Sequence, residues 1–342
     1  MNILVFGGHG TIGIPLVKML EENHTIYNPT HKELDLLDYN ELNDAFYYPS
    51  LSVEEKPDLI INLAAKETNI SLNKTNPVDI YRDTVQMGLN VFETCRIHKI
   101  PRLIQCVCSC SYGEAELLKE ANFDKTPPNE TVLPHAHAKR QLYYMAQFYR
   151  QQYGLMTQTL CFNNVYGCIP LSIIKHSTSP ATFDTQTLKV LDALFVKILK
   201  SREENEKEIE IWGTGKPLRE FVYYEDVACA IDDIVNLGGA FPHIYNKFKN
   251  VELMNIGSQQ EISIADLVKT MKDHFGYKGK LKFDRNKPDG QMRKLLDSSK
   301  FRSFFPNFKF TSMQDGIDKM LKTYAVDVWQ DVHDDVYKLV DK

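Results

Sequence analysis

Residues 3 to 13 read Ile3-Leu-Val-Phe-Gly-Gly-His-Gly-Thr-Ile-Gly13. An apolar run ends in Gly7, Gly10 and Gly13, and a helix-forming stretch, residues 14–20, follows at once. The order predicts a strand, a tight turn and a helix start. A helix start offers unpaired N–H groups and the positive end of a dipole to an anion. Gly7 permits the turn, Gly10 lets the backbone approach a pyrophosphate, and Gly13 lets the helix lie close to the sheet. Three glycines alone would read as any turn. Between a strand and a helix they predict a dinucleotide site.

Outward from this loop, the first half alternates strand-like and helix-like segments. Strands are expected at residues 3–6, 25–27, 59–63, 103–108 and 157–162. Helices are expected between them, notably at 78–98 and 134–152. Such alternation predicts an α/β fold, a doubly wound parallel sheet with helices on both faces. The second half is less regular. Residues 209–212 read as a strand, 225–237 and 264–275 as helices, and 253–257 as a short apolar run able to return to the main sheet. The charge run 201–210 reads as a solvated loop or helix end. Two interleaved domains are expected. Residues 1–166 with parts of 218–257 form the dinucleotide-binding sheet domain, and 167–217 with 258–342 form a smaller lobe.

A chain of 342 residues has the length of about two ordinary domains. Hydrophobic residues at 43% and charged residues at 25% suit a globular protein. A net charge of −5 offers no broad basic field, so nucleic acid is not an expected partner. A strand opening at residue 3 leaves no room for a signal peptide, and no apolar run approaches about 20 residues, so a cytoplasmic protein without a membrane span is expected. Seven scattered cysteines argue against a disulfide framework and for a reducing compartment. Cys106, Cys108 and Cys110 alternate and would face one way on a continuing strand, whereas His135 and His137 fall on different helix faces, so no metal site is expected.

NAD sites usually place an acid at the end of strand 2 to hold the ribose 2′-OH. Here that region reads Tyr27-Asn-Pro-Thr-His-Lys32, with no carboxylate before Glu33. His31 and Lys32 suit a 2′-phosphate, which favours NADP, with NAD the alternative. Lys32 also reads as a surface lysine. Asp38 reads as a contact to the adenine end or as an N-cap for the next helix.

The spacing Gly7-x-x-Gly10-x-x-Gly13 resembles the extended short-chain dehydrogenase/reductase family. Four further stretches resemble its GDP-L-fucose synthase branch, whose members are GDP-4-keto-6-deoxymannose 3,5-epimerase/4-reductases. They are Glu33-Leu-Asp-Leu-Leu-Asp38, Asn62-Leu-Ala-Ala-Lys66, Ile211-Trp-Gly-Thr-Gly-Lys-Pro-Leu-Arg-Glu-Phe221, and Gly276-Tyr-Lys-Gly-Lys-Leu-Lys-Phe-Asp284 with Lys287-Pro-Asp-Gly290 and Arg293-Lys-Leu-Leu-Asp297. The resemblance implies a sheet domain carrying NADP and a smaller lobe holding a nucleotide sugar. It extends the expected cofactor site to Thr11, Ile12, Leu63, Ala64, Ala65 and Lys139.

The resemblance also implies catalytic positions. Family members carry a Ser four residues before a Tyr at the end of strand 4, and a Tyr-x-x-x-Lys on the following helix. The Tyr phenol protonates the sugar C4 oxygen as hydride arrives, the Lys positions the nicotinamide ribose, and the Ser hydrogen-bonds the carbonyl. Here Tyr112 sets the register of Cys108-Ser-Cys-Ser-Tyr112, so Cys108 stands at the Ser position. His135-Ala-His-Ala-Lys139 keeps the lysine and replaces the tyrosine. At i and i+4, His135 and Lys139 share a helix face. Imidazole is an acid–base group near neutral pH, whereas a thiol is a poorer hydrogen-bond donor than Ser. The adjacent Ser109 points to the opposite face of a strand. For the epimerase step the family's Cys is kept as Cys110, and its His falls on Lys189, which reads equally as a solvent-facing lysine on a helix.

Substrate positions implied by the resemblance are Trp212 and Arg219 at the nucleotide diphosphate, Asn164 near the sugar, and Lys287 toward the phosphates. Each has a plainer reading: core packing for Trp212, a turn residue for Asn164, a surface charge for Lys287. Three functions stay open. One is an NADP-dependent epimerase/reductase on a GDP-4-keto-deoxy sugar. Another is a catalytically silent homologue that binds these ligands and regulates a partner. The third is a redirected nucleotide-sugar epimerase or dehydrogenase. The resemblance further implies a homodimer formed through the helices at 78–98 and 134–152.

Overall fold

Strand β1 (Asn2–Phe6) is buried from Ile3 to Phe6, so its continuous apolar run serves both faces of a sheet. The computed structural model describes residues 1–47, 56–66, 69–167, 188–240, 242–287 and 289–329. β1 lies between β2 (Thr25–Tyr27) and β3 (Leu59–Asn62). β4 (Arg102–Cys108), β5 (Met156–Phe162) and β10 (Leu253–Ile256) extend the sheet beyond β3. The order is β10-β5-β4-β3-β1-β2 and every pairing is parallel. The molecule is an α/β protein with a six-stranded Rossmann-like sheet and smaller additional sheets. Because β2 and β3 lie on opposite sides of β1, the direction of strand addition reverses there. Such a switch point opens a crevice at the carboxyl ends of the strands.

Helix α1 (Gly13–Leu20) follows β1, and α2 (Tyr39–Tyr47) precedes β3. A short α3 (Ile70–Thr75) leads into α4 (Pro77–Ile97), and α5 (Leu133–Tyr153) separates β4 from β5. Val91 and Phe92 of α4, with Ala146 of α5, join Leu4, Phe6, Ile60 and Leu103 in one buried cluster. The helix Tyr224–Ala240 meets α1, with Cys229 Sγ 4.0 Å from Met19 Sδ. α5 ends at Gly154, whose φ of +69° forms a left-handed cap.

The chain divides into two units. The first holds Met1–Asn163, Glu225–Gly257 and Leu296–Phe308, and the second holds Asn164–Tyr224, Ser258–Leu295 and Lys309–Lys342. In the second unit β6 (Val165–Tyr166) pairs with β9 (Val222–Tyr223), and β7 (Glu208–Trp212) with β12 (Lys280–Asp284). β8 (Leu218–Glu220) lies between β11 (Glu261–Ser263) and β13 (Arg293–Lys294). Phe195 and Phe275 meet edge to face at 5.1 Å in the core of this unit.

Three segments fall on the other side of the expected domain boundaries, the first being Asn164–Tyr166, which belongs to the second unit because β6 pairs with β9. Residues 218–224 belong to the second unit, because β8 and β9 pair only with strands of that unit. Leu296–Phe308 belongs to the first unit. Leu296 bridges Leu118, Asp297 N donates to Leu118 O at 2.9 Å, and Lys300 Nζ donates to Leu253 O at 3.0 Å. Residues 168–187 and 330–342 of the expected lobe lie outside the described residues. Among the described residues, no helix is long and apolar enough to cross a membrane.

Candidate active site

The glycine loop occupies the switch point. Gly7 takes a φ of +78°, and a Cβ there would lie 2.9 Å from Ala64 N. A Cβ on Gly13 would meet Gly7 O at 2.3 Å and Gly8 Cα at 2.4 Å. Only glycine fits either place, so the backbone stays bare at the end of β1. Gly10 N donates to Gly7 O at 3.0 Å, which closes the turn. Helix α1 starts after Ile12 with no side-chain cap and no acid in its first turn. Its positive end therefore keeps its attraction for an anion. Thr11 lies in the same turn, and Leu63-Ala64-Ala65 continues β3 beside it. Asn62 holds that segment, accepting from Ala64 N at 3.1 Å and donating to Gln105 Oε1 at 2.9 Å. A bare backbone cradle, a tight Gly7–Ala64 approach and an uncapped helix start together fit a dinucleotide pyrophosphate.

His31 and Lys32 are both exposed beyond β2. Glu33 is turned back, its Oε2 accepting from Thr30 N and Thr30 Oγ1 at 2.8 Å each, and these bonds lower its pKa. Asp38 serves as a helix cap. Its Oδ1 accepts from Asn40 N at 2.9 Å and Glu41 N at 3.1 Å at the start of α2. His9, in a variable position of the glycine loop, has its Nε2 3.0 Å from Asn28 O. No residue pattern flags that contact, because it depends on how β2 ends.

Four of the five expected catalytic residues lie in the first unit. Lys139 is only 5% exposed and its Nζ donates to Cys106 O at 3.4 Å. Burial pushes its pKa down to about 8. Cys108, the last residue of β4, has its Sγ 3.5 Å from His135 Nε2. His135 lies in the first turn of α5, and its backbone N donates to Asn73 Oδ1 at 3.2 Å. Asn73 is thus a positioning residue that motif reading passed over, since it lies 62 residues away in sequence. Tyr112 carries no exposed phenol. Its OH donates to Asn255 Oδ1 at 2.6 Å, and burial raises its pKa. Ser109 likewise spends its hydroxyl, donating to Asn163 Oδ1 at 2.7 Å.

Two expectations about sulfur are corrected. The strand ends at Cys108 and a single 3-10 turn, Ser109–Ser111, follows, so Cys110 does not continue the alternation. The turn swings Cys110 toward Cys108, and the two form a disulfide, where isolated thiols were expected. A cluster of ligating atoms nonetheless stands here. The ligating atoms of Cys108, Cys110 and His135 all lie within 4.8 Å of one another. Cys106 stands apart, buried, with its thiol pushed up to about 12 by desolvation.

The fifth catalytic candidate, Lys189, lies in the second unit. It is exposed and stands just before the helix Val190–Glu203 rather than on it. The substrate candidates also lie in that unit. Trp212 is 64% exposed at the end of β7, which rules out core packing. Lys287 Nζ sits 5.2 Å above its ring, in the range of a cation–π contact. Arg219, on β8, donates from Nη1 to Leu218 O at 2.8 Å, and burial lowers its pKa. Asn164 Nδ2 donates to Glu220 O at 2.8 Å, so this amide ties the start of β6 to β8. An exposed indole, a lysine on its face and a half-buried guanidinium form one unit's worth of anion and ring binding chemistry.

Known proteins share this architecture. A family profile described as NAD dependent epimerase/dehydratase matches residues 3–246. A putative GDP-L-fucose synthase 2 from Arabidopsis thaliana is 30% identical over 96% of this chain and 93% of its own length. The structure is similar to a GDP-6-OMe-4-keto-L-xylo-heptose reductase from C. jejuni, with a TM-score of 0.78, 25% identity, and coverage of 95% of this chain and 97% of that one. It is also similar to a GDP-mannoheptose C4 reductase from Campylobacter jejuni with NADP bound, with a TM-score of 0.75, 26% identity, and coverage of 94% and 98%.

Proposed function

The chain belongs to the NAD dependent epimerase/dehydratase family, and from that premise we propose that it is an NADP-dependent nucleotide-sugar reductase and epimerase acting on a GDP-linked 4-keto-deoxy sugar. The observation that carries the reading is the first unit's alignment of parts: a bare glycine cradle, a buried Lys139, and a Cys108–His135 pair on neighbouring elements. Relatives named for GDP sugars, one of them with NADP bound, support the substrate class and the coenzyme.

When bound, the nicotinamide supplies hydride to a carbonyl carbon. The protein's residues supply the rest. Gly7, Gly10, Thr11, Ile12 and Gly13 hold the pyrophosphate through backbone N–H groups, and Leu63, Ala64 and Ala65 flank it. His31 and Lys32 receive a 2′-phosphate. Lys139 fixes the nicotinamide ribose. His135 polarises the carbonyl oxygen from the same helix face. Cys110 and Lys189 exchange protons at the ring carbons beside the carbonyl. Trp212, Arg219 and Lys287 hold the base and diphosphate, and Arg suits two phosphate oxygens at once. A closed Cys108–Cys110 bond leaves neither sulfur a proton, so this chemistry belongs to the dithiol.

The same disulfide and the missing phenol favour a second reading, a silent homologue that binds coenzyme and nucleotide sugar. One assay separates them. Reduced protein is incubated in D2O with NADPH and GDP-4-keto-6-deoxymannose. Loss of NADPH with a reduced sugar is expected. Deuterium uptake without NADPH loss would leave an epimerase, and binding of both ligands without either change would leave the silent homologue. The H135Y variant, which restores the phenol, is expected to oxidise NADPH faster than the reduced wild type.

A further inference from the structure

We propose that, in the dithiol state, Cys108, Cys110 and His135 form a zinc site with an open fourth position, and that the cation takes over the polarising task at the substrate carbonyl. The inference rests on the reductase reading and alters it in two ways. His135 becomes a ligand rather than a proton donor. Cys110 is committed to the cation, so proton exchange at the ring carbons falls away and reduction remains.

The geometry comes first. The three ligating atoms fall within 4.8 Å of one another, and all three residues are partly exposed, so an ion and a carbonyl can reach them. The backbone that carries them is held on every side. Ser109 is tied to Asn163, and Tyr112 to Asn255. The Arg140 guanidinium donates to Ser111 O, at 3.0 Å from Nε, and to Thr126 O at 2.9 Å. Asn73 holds the backbone of His135. Ligands on such a frame need little reorganisation to bind. The Cα atoms of Cys108 and Cys110 are 5.4 Å apart. Two thiolates on a tetrahedral zinc, at about 2.3 Å each, sit roughly 3.8 Å from each other, which this spacing spans by side-chain rotation.

The chemistry follows from the donors. Two thiolates and one imidazole suit zinc, and three protein ligands leave a position for water or substrate, the arrangement of catalytic rather than structural zinc. Cys108 and His135 stand where the resemblance places the Ser and Tyr hydroxyls that would polarise the carbonyl. A thiol is a weak donor, and an imidazole differs from a phenol in reach and charge. A Lewis acid held by both side chains does the work of the two lost hydroxyls at once. In the net step hydride passes from NADPH to the carbonyl carbon, one proton from solvent goes to the oxygen, and NADP+ and an alcohol result. Oxidation of the two thiols by a peroxide closes the Cys108–Cys110 bond, reduces the peroxide to water or alcohol, and removes two ligands.

The test uses full-length protein reduced with a phosphine and handled without oxygen. It is titrated with cobalt chloride, then with zinc chloride. One cobalt per chain is expected, with a thiolate-to-cobalt charge-transfer band and tetrahedral d–d bands, displaced by zinc. C108S, C110S and H135A are each expected to weaken zinc binding about tenfold or more, while C106A retains it and peroxide-treated protein binds none. Circular dichroism checks that each variant is folded. No cobalt spectrum in the reduced wild type, or an unchanged spectrum in folded H135A, overturns the site. Turnover of NADPH with the keto sugar is then compared in zinc-loaded and chelator-treated protein. Loss on chelation and recovery with zinc, without deuterium uptake, are expected. Full turnover in the metal-free protein overturns the catalytic role. No turnover in either state, with the cobalt spectrum intact, overturns the reductase reading and leaves the metal site standing.

Discussion

Lys139 shows how one residue's surroundings set its chemistry. Its Nζ donates to Cys106 O, and burial holds its pKa at about 8 against an ordinary 10.5. The unfolded chain therefore binds more protons than the folded one between about pH 8 and 10.5, and this group by itself makes the fold more stable as pH rises through that window. Its effect on coenzyme runs the other way. An ammonium that grips the ribose is lost above pH 8, so the NADPH dissociation constant is expected to climb by up to about tenfold per pH unit there. K139M should bind weakly and show no such slope, as read by fluorescence titration from pH 7 to 10. The lysine was legible in the sequence from its spacing to His135. Its depressed pKa was not, because burial is a property of the surrounding sheet and not of the motif. The same holds for Cys110. Its identity was plain, but its approach to Cys108 depends on the 3-10 turn that follows the strand.

At the scale of elements, the starts of the first two helices carry distinct demands. Gly13 is where α1 crosses the glycine turn, and a methyl there would collide with backbone rather than with a movable side chain. G13A is expected to lose measurable NADPH binding and to cost about 1–3 kcal/mol in urea unfolding, since the helix must shift to make room. Asp38 answers a different demand, capping α2. D38A should cost about 1 kcal/mol of stability while leaving coenzyme affinity unchanged. A parallel loss of affinity would show that the carboxylate also meets the adenine end. These elements were largely readable from the sequence. The buried strands announce themselves as apolar runs, and α4 and α5 by their apolar stripes. The small pairings of β6, β8, β9 and β13 were not readable. Strands of two or three residues carry too little periodicity, and their partners are far away in the chain.

For the molecule as a whole, the resemblance implied a pair of chains meeting through α4 and α5, and the surface supports that proposal. Val78 is 68% exposed and Tyr81 40%, and both line an apolar groove with Pro77, Leu133 and Pro134. A standard interface hides about 800 Å² per partner, and charges in its centre are poorly tolerated. The double variant V78D/Y81D is expected to elute as a monomer with unchanged circular dichroism, as measured by light scattering. A wild type that is already monomeric would end the proposal. The fold class was legible from strand–helix alternation, and the apolar run near residue 253 led to the expectation of interleaved units. The exact crossings were not, because they depend on β8 and on Leu296–Phe308 finding distant mates. That interleaving has a bearing on biosynthesis. β5 is finished at residue 162, but its outer neighbour, β10, is made some ninety residues later. Until then the nascent chain leaves the ribosome with an open row of amides and carbonyls along a hydrophobic ribbon, an invitation to clumping. Co-translational chaperone cover of that edge is therefore expected to raise the yield of this protein.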